Sequence, residues 1–302
     1  MAVPLLKKRL AKDRCARSVM LALTVLSLLL LVAMGVGLYL KSEMILDRYS
    51  LWTLLTTSDW KPLKGSFGFL PFIASTLAVT ALSILIALPI SLLTALYLSE
   101  YAHSWTKRVV FPVLDILAGI PSVVYGVWGT LIIVPWIADA LGPHFVDYTS
   151  GYTVLASGIV LGVMILPVLV SLFIEIFTIV PQDYRDAAAS LGATKWQVCR
   201  KVILRKSMPG IIAAVVLAIS KAFGETIAVL MVCGNSASIP HSLFDPCYPL
   251  PALIANNYGE MLSLPLYESA LMFAAFILFF IILVFNFASR LLLRRVEKRY
   301  KL

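Results

Sequence analysis

The chain has 302 residues, 60% hydrophobic and 14% charged, with a mean hydropathy of +0.92 and a net charge of +9. Soluble domains carry about 25% charged and 45–50% apolar residues, and disorder requires low hydrophobicity, so a soluble enzyme and a disordered chain are both excluded. In so apolar a chain the excess of 25 Lys and Arg over 16 Asp and Glu reads as membrane orientation, not nucleic-acid binding.

The fold class expected is all-α, a polytopic bundle of six transmembrane helices. Residues 1–17 form a basic N-terminus with six Lys and Arg. Residues 18–40 carry no charge and make about 34 Å of helix against a hydrocarbon core of roughly 30 Å. That run exceeds the 7–15 or so residues of a signal-peptide core, and no small-x-small cleavage site stands out, so an uncleaved first helix is expected. A second charge-free run covers 65–99, with 67–71 at the interface and a kink at Pro89. The third stretch, 109–138, contains Asp115, Pro112, Pro121 and Pro135, and its middle, 119–129, is expected to leave the regular helix. Such backbone is tolerated at membrane depth only where protein or a water-filled cavity surrounds it. Spans four, five and six are expected at 152–174, 211–233 and 269–289. A core transmembrane domain is thus expected at 65–289, followed by a basic tail at 290–302.

Six crossings put both termini on one side. The N-terminus, the tail and the 100–108 and 175–208 loops together hold twenty of the Lys and Arg, the opposite loops hold four, and Lys221 lies within a span. This bias assigns the termini, Cys15 and Cys199 to the cytoplasm and Cys247 to the outer face. Cys233 also falls near the outer face, where it and Cys247 would be free to bond. The outer loop 234–268, rich in Pro and aromatics, is expected to fold over the outer mouth. No internal repeat or low-complexity linker divides the chain.

The chain has no Gly-Lys dipeptide and hence no P-loop, no HExxH and no GxSxG, and its three His are isolated. Four cysteines without a CxxC or Cys/His cluster make neither a disulfide framework nor a zinc site. No catalytic residue, metal site or bound cofactor is therefore expected.

The informative segment is the cytoplasmic loop 175–208 between spans four and five. Pro181 suits the first position of a helix and Gly192 the left-handed residue that ends one. Between them Tyr184, Ala187, Ala188 and Leu191 recur at i, i+3, i+4 and i+7, an amphipathic stripe. A second short helix follows, with Thr194 as N-cap. Such a stripe either docks on a partner or lies along the membrane.

Asp186-Ala-Ala, Gly192 and Leu204 resemble the EAA…G…I-LP loop of ABC-importer permeases. Phe67-Gly-Phe-Leu-Pro-Phe-Ile, Leu98-Ser-Glu-Tyr-Ala, the 120–129 segment and the 223–235 segment are similar to phosphate-specific ABC-importer permeases. The Met-Val-x-Gly-Asn ending and Leu253-Ile-Ala-Asn favour their PstC-like branch. Asp186, Val202 and Arg205 replace the usual Glu, Ile and Pro of that loop. The resemblance covers roughly 65–295 and implies a type I importer fold in a bacterial inner membrane. It also implies that residues 181–204, with Tyr184, Asp186, Ala187, Ala188, Leu191 and Gly192, dock on a dimer of ATPase subunits that bind and hydrolyse ATP. A PstA-like second permease, an extracytoplasmic phosphate-binding protein and phosphate complete the set of partners. Alternatives are a permease for molybdate, tungstate or sulfate, and a self-sufficient secondary transporter.

Lys221 and Glu225 lie inside the fifth span, where a charge costs about 2.5–3.5 kcal/mol. Their i, i+4 spacing lets them meet on one helix face, either as a structural ion pair or as part of a hydrated path for an anion. The family usually has Arg at the Lys221 position, and Lys lacks its bidentate fork. Ser220, Thr226, Ser122 and Tyr125 complete the candidate translocation path.

Overall fold

A computed structural model describes the backbone of residues 3–259 and 264–300, and the side chains of 12–259 and 264–295. Lys7, Lys8 and Arg9 of the basic N-terminus, and Lys298, Arg299 and Lys301 of the tail, lie outside the described side chains.

The order is helical almost throughout. α1 (Val3–Lys41) leads into two short helices, α2 (Glu43–Arg48) and α3 (Leu51–Thr56), and a two-residue hairpin, β1 (Trp60–Lys61) and β2 (Ser66–Phe67). Then come α4 (Leu70–Glu100), α5 (Ser104–Gly119), α6 (Ser122–Trp128), α7 (Val154–Thr178), α8 (Gln182–Ser190), α9 (Lys195–Val198), α10 (Leu204–Gly224), α11 (Ile227–Leu230), α12 (Leu250–Asn257) and α13 (Pro265–Tyr300). Among the described residues six helical runs are long and apolar enough to cross a membrane: Lys12–Lys41, Leu70–Glu100, Ser122–His144, Val154–Thr178, Lys195–Gly224 and Pro265–Arg295. The protein is a multi-pass membrane protein.

α4 and α7 form the centre. Along the middle of α4, from 75 to 91, the buried positions are small or hydroxylated (Ser75, Thr76, Val79, Thr80, Ser83, Ala87, Ser91), and α7 presents Gly158 against Leu82 and Gly162 against the Ser83 carbonyl. Such residues let two backbones approach closely where lipid supplies no hydrophobic drive. The hydroxyls of Thr76, Ser83 and Ser91 donate to their own helix, to the carbonyls of Phe72, Thr80 and Ala87. α10 packs on this pair and α13 on α10, and α1 lies on α13 with its span side chains otherwise outward.

Three elements refine what the sequence implies. The third stretch breaks within the 119–129 segment expected to leave the helix, but the break is narrower than that segment. α5 ends at Gly119, Ile120 and Pro121 are extended, and α6 resumes at Ser122 before π-helical turns at Gly129–Ile133 and Trp136–Leu141. Pro121 explains the break, since the residue before proline is driven out of the α region. The fifth run also stops early, at Gly224. Finally, the 234–268 loop dips into the bundle instead of only covering it. Leu250, Pro251, Ala252 and Leu253 of α12 are buried, and Ser75 and Thr76 of α4 accept hydrogen bonds from the amides of Tyr248 (3.2 Å) and Leu250 (2.9 Å).

Candidate functional site

The candidate residues fall into two groups on different parts of the molecule. The first is the α8–α9 loop. α8 starts at Gln182, one residue later than expected, with Pro181 in the N-cap position. It ends as a Schellman motif: the amides of Gly192 and Ala193 donate to the carbonyls of Ala189 (2.9 Å) and Ala188 (3.1 Å), and Gly192 has φ +79°. Thr194 and Gln197 form a full capping box for α9. The left-handed Gly192 and the Thr194 cap are therefore present as the residue types require.

The stripe expected on α8 splits between two faces. Tyr184, Asp186 and Ala187 are exposed, and Leu191 is 89% exposed, whereas Ala188 is half-buried against the core. The reason is Arg185, which the spacing argument passed over. Its side chain turns inward to Glu100 at the end of α4, and Ala188, three residues on, follows it to the inner face. The outer face is held partly by Lys206, whose ammonium lies 4.8 Å from the Tyr184 ring centroid. Asp186 accepts from Gln182 (3.0 Å) and remains at the surface.

The second group surrounds the break in the fifth run. Lys221 and Glu225 do not meet, and this corrects the pairing inferred from their spacing. The helix ends at Gly224 and Glu225 is extended (φ −71°, ψ 128°), so an i, i+4 face no longer exists between them. Glu225 instead turns towards the α11 amides, where it accepts from Ala228 at 3.4 Å. It borders a small internal space with Thr76, Thr80, Phe223, Pro249 and Pro251. Lys221 is exposed on α10 and has no carboxylate within ion-pair distance among the described residues.

The hydroxyls are largely committed to the chain itself. Ser220 donates to the Val216 carbonyl (2.9 Å) and lies 3.2 Å from Asn286 of α13, and Thr226 donates to Gly224 (3.3 Å). Tyr125 is buried and donates to the Leu117 carbonyl (2.8 Å), which braces α6 on α5 across the Pro121 break. Ser122 is half-buried in the first turn of α6. The breaks of the third and fifth runs face each other, since α6 packs on α11 through Gly126, and Thr130 donates to Met231 (3.2 Å).

Beyond α11, Cys233 and Cys247 are both buried, and the Cys247 amide donates to the Cys233 carbonyl at 2.8 Å. Both thiols are free. A hydrogen bond between the two thiols and burial together push the Cys247 thiol pKa up. Cys199 is likewise buried, and Cys15 is exposed.

The family model described as the binding-protein-dependent transport system inner membrane component matches residues 87–302. A phosphate transport system permease protein PstC from Pasteurella multocida is 36% identical over 261 residues, 82% of this chain and 81% of that one. A probable ABC transporter permease protein, YqgH of Bacillus subtilis, is 39% identical over 78% of this chain and 77% of its own length. A probable PstC of Methanocaldococcus jannaschii is 35% identical over 83% and 84%. Among solved structures, an inward-facing MetNI methionine ABC transporter superposes with TM-score 0.54 at 19% identity, over 82% of this chain and 97% of that chain. A bacterial alginate ABC transporter superposes with TM-score 0.53 at 18% identity, over 78% and 82%. These two show a shared fold, that of ABC-importer permeases.

Proposed function

The chain belongs to the family of inner membrane components of binding-protein-dependent transport systems, and from that premise we propose that it is the PstC-like permease subunit of an ATP-driven phosphate importer. The observation that carries the substrate is the 36% identity to a phosphate transport permease across four-fifths of both chains. The chain forms the translocation path with a PstA-like permease and receives phosphate from an extracytoplasmic binding protein. ATP is bound and hydrolysed by a dimer of ATPase subunits. Both termini and the α8 loop lie in the cytoplasm of a bacterial inner membrane, as the basic-residue bias requires.

The two groups of residues then have separate tasks. The exposed outer face of α8, with Tyr184, Asp186, Ala187 and Leu191, enters the ATPase surface, where the small alanine permits close approach and Leu191 buries its apolar area. Gly192 and the inward-facing Ala188 set the shape and seat of that helix. Lys221 faces the path. A lone ammonium pointing at lipid would be costly, so its exposure on α10 favours a side covered by the second permease and lined by water. There it supplies positive potential to a passing anion as a point charge, without bidentate coordination. Glu225, Thr226 and Ser220 shape the break beside it, and Ser122 and Tyr125 shape the facing break in the third run. Backbone left unpaired by such breaks is also available to an anion in a hydrated path.

The test is uptake by proteoliposomes containing both permeases and the ATPase, supplied with binding protein and internal ATP. Labelled phosphate accumulation that is suppressed by unlabelled phosphate but not by sulfate or molybdate is the expected result. Suppression by molybdate or sulfate instead would move the substrate to another oxyanion, and uptake without the ATPase would indicate a secondary transporter.

A further inference from the structure

Arg185 makes more polar contacts than any residue in the groups above, and none of the tasks assigned so far uses it. Its Nη2 lies 2.9 Å from Glu100 Oε1 and its Nε 3.3 Å from Glu100 Oε2, a two-point ion pair across 85 residues of sequence. The same guanidinium donates to the carbonyls of Phe177 (2.9 Å) and Val180. The two side chains are only 15% and 14% exposed.

Three elements therefore meet at one planar group. Glu100 is the last residue of α4. Phe177 lies in the last turn of α7 and Val180 two residues past its end, where the carbonyls carry the negative end of the helix dipole. Arg185 itself sits in the first half of α8. A guanidinium satisfies all of these acceptors at once because its donors are fixed in a plane, whereas an ammonium meets them only as a point charge. The surroundings do not replace this contact with apolar packing. A cavity of about 530 Å³ opens beside it, lined by Ser99, Lys107, Gln182, Asp186 and Lys195 among others.

We propose that Arg185 is a positioning residue that locks α8 to the inner ends of α4 and α7, so that displacement of α8 by the ATPase moves both spans with it. The inference rests on the permease reading above. With the fork intact, α8 cannot tilt on its own without separating a largely buried, two-point ion pair, a costly step. With the fork lost, α8 still docks on the ATPase through its outer face, but it slips against the bundle when the ATPase closes.

The experiment measures phosphate accumulated per ATP hydrolysed in proteoliposomes of the whole transporter carrying Arg185→Lys or Glu100→Gln. Arg185→Lys keeps the charge and loses the fork, and Glu100→Gln keeps a hydrogen-bond acceptor and loses the charge. For both, the ATPase should co-purify at the wild-type ratio. Uptake should fall on the order of tenfold, the loss of about one charge-assisted hydrogen bond, while ATP hydrolysis persists, so the transport yield per ATP drops. A pair that serves only folding predicts less assembled complex with an unchanged yield per ATP. That result in both variants, or a wild-type yield in both, overturns the inference. The wild-type transporter separates the two levels: failure of the unsubstituted complex to accumulate phosphate with ATP rejects the permease reading itself.

Discussion

Gly126 of α6 lies so close to Met231 that a Cβ built on it would stand 2.6 Å from the Met231 sulfur and 3.3 Å from the Cα of Ala228. The broken segments of the third and fifth runs are thus held backbone to backbone. Gly126→Ala should destabilise the chain by about 1–3 kcal/mol through overpacking. The nearest atom belongs to a flexible side chain, so Met231→Ala in the same chain should restore part of that loss. Thermal denaturation of the detergent-solubilised protein reads both effects. A Gly126→Ala melting temperature equal to wild type would refute the close contact.

Gly192 poses a different constraint, because nothing lies within 4 Å of a Cβ built there and only its φ of +79° restricts it. A left-handed conformation costs an ordinary L-residue roughly 1–2 kcal/mol, and Asn less. Gly192→Val should therefore reduce ATPase co-purification and phosphate uptake, and Gly192→Asn should keep most of both. Equal behaviour of the two variants would remove the turn geometry from the explanation.

Lys221 and Glu225, separated by the end of α10, should act independently. Lys221→Gln is expected to lower uptake in a complex that assembles normally, and Glu225→Gln to weaken the α11 cap. In the double variant the two effects on the free energy of transport should add to within about 0.3–0.5 kcal/mol. Near-complete recovery in the double variant would instead reveal an ion pair formed during transport and would end the assignment of Lys221 to the anion path.

Orientation can be read with thiol reagents, but not at the native Cys247. That thiol is buried, and its pKa is raised by a hydrogen bond with the Cys233 thiol and by burial, so an impermeant maleimide should leave it unmodified in intact cells. A cysteine placed at the exposed Ser238 should react from outside, and the exposed Cys15 should react only after the membrane is opened. Labelling of Cys15 in sealed cells would reverse the topology.

The parts of this fold that were readable from the residues are those with a local cause. Charge-free runs located the first, second, fourth and sixth spans, Pro121 located the break in the third, and Gly192 and Thr194 marked the turn between α8 and α9. What escaped depends on partners far away in the chain. Nothing near Arg185 announces Glu100, and nothing in the Pro-rich outer loop announces that Ser75 and Thr76 will draw the amides of Tyr248 and Leu250 inward. The Lys221–Glu225 spacing was misleading for a related reason. Periodicity assumes a continuous helix, and the chain leaves the helix between Gly224 and Glu225, where the carboxylate finds the α11 amides.

α4 is the element in which these distant contacts converge. Near its first turns it holds the dipping outer loop through two hydroxyls, and at its last residue it holds Arg185. Its 31 residues make a rod about 46 Å long, and a tilt of roughly 5° about its midpoint would carry each end about 2 Å in opposite directions. Thr76, about 14 Å from that midpoint, would move by about 1 Å, enough to weaken its 2.9 Å bond with the Leu250 amide. On the permease reading proposed above, such a lever would carry a displacement of α8 to the outer loop held near the other end of α4, with no part of the intervening chain having to unfold.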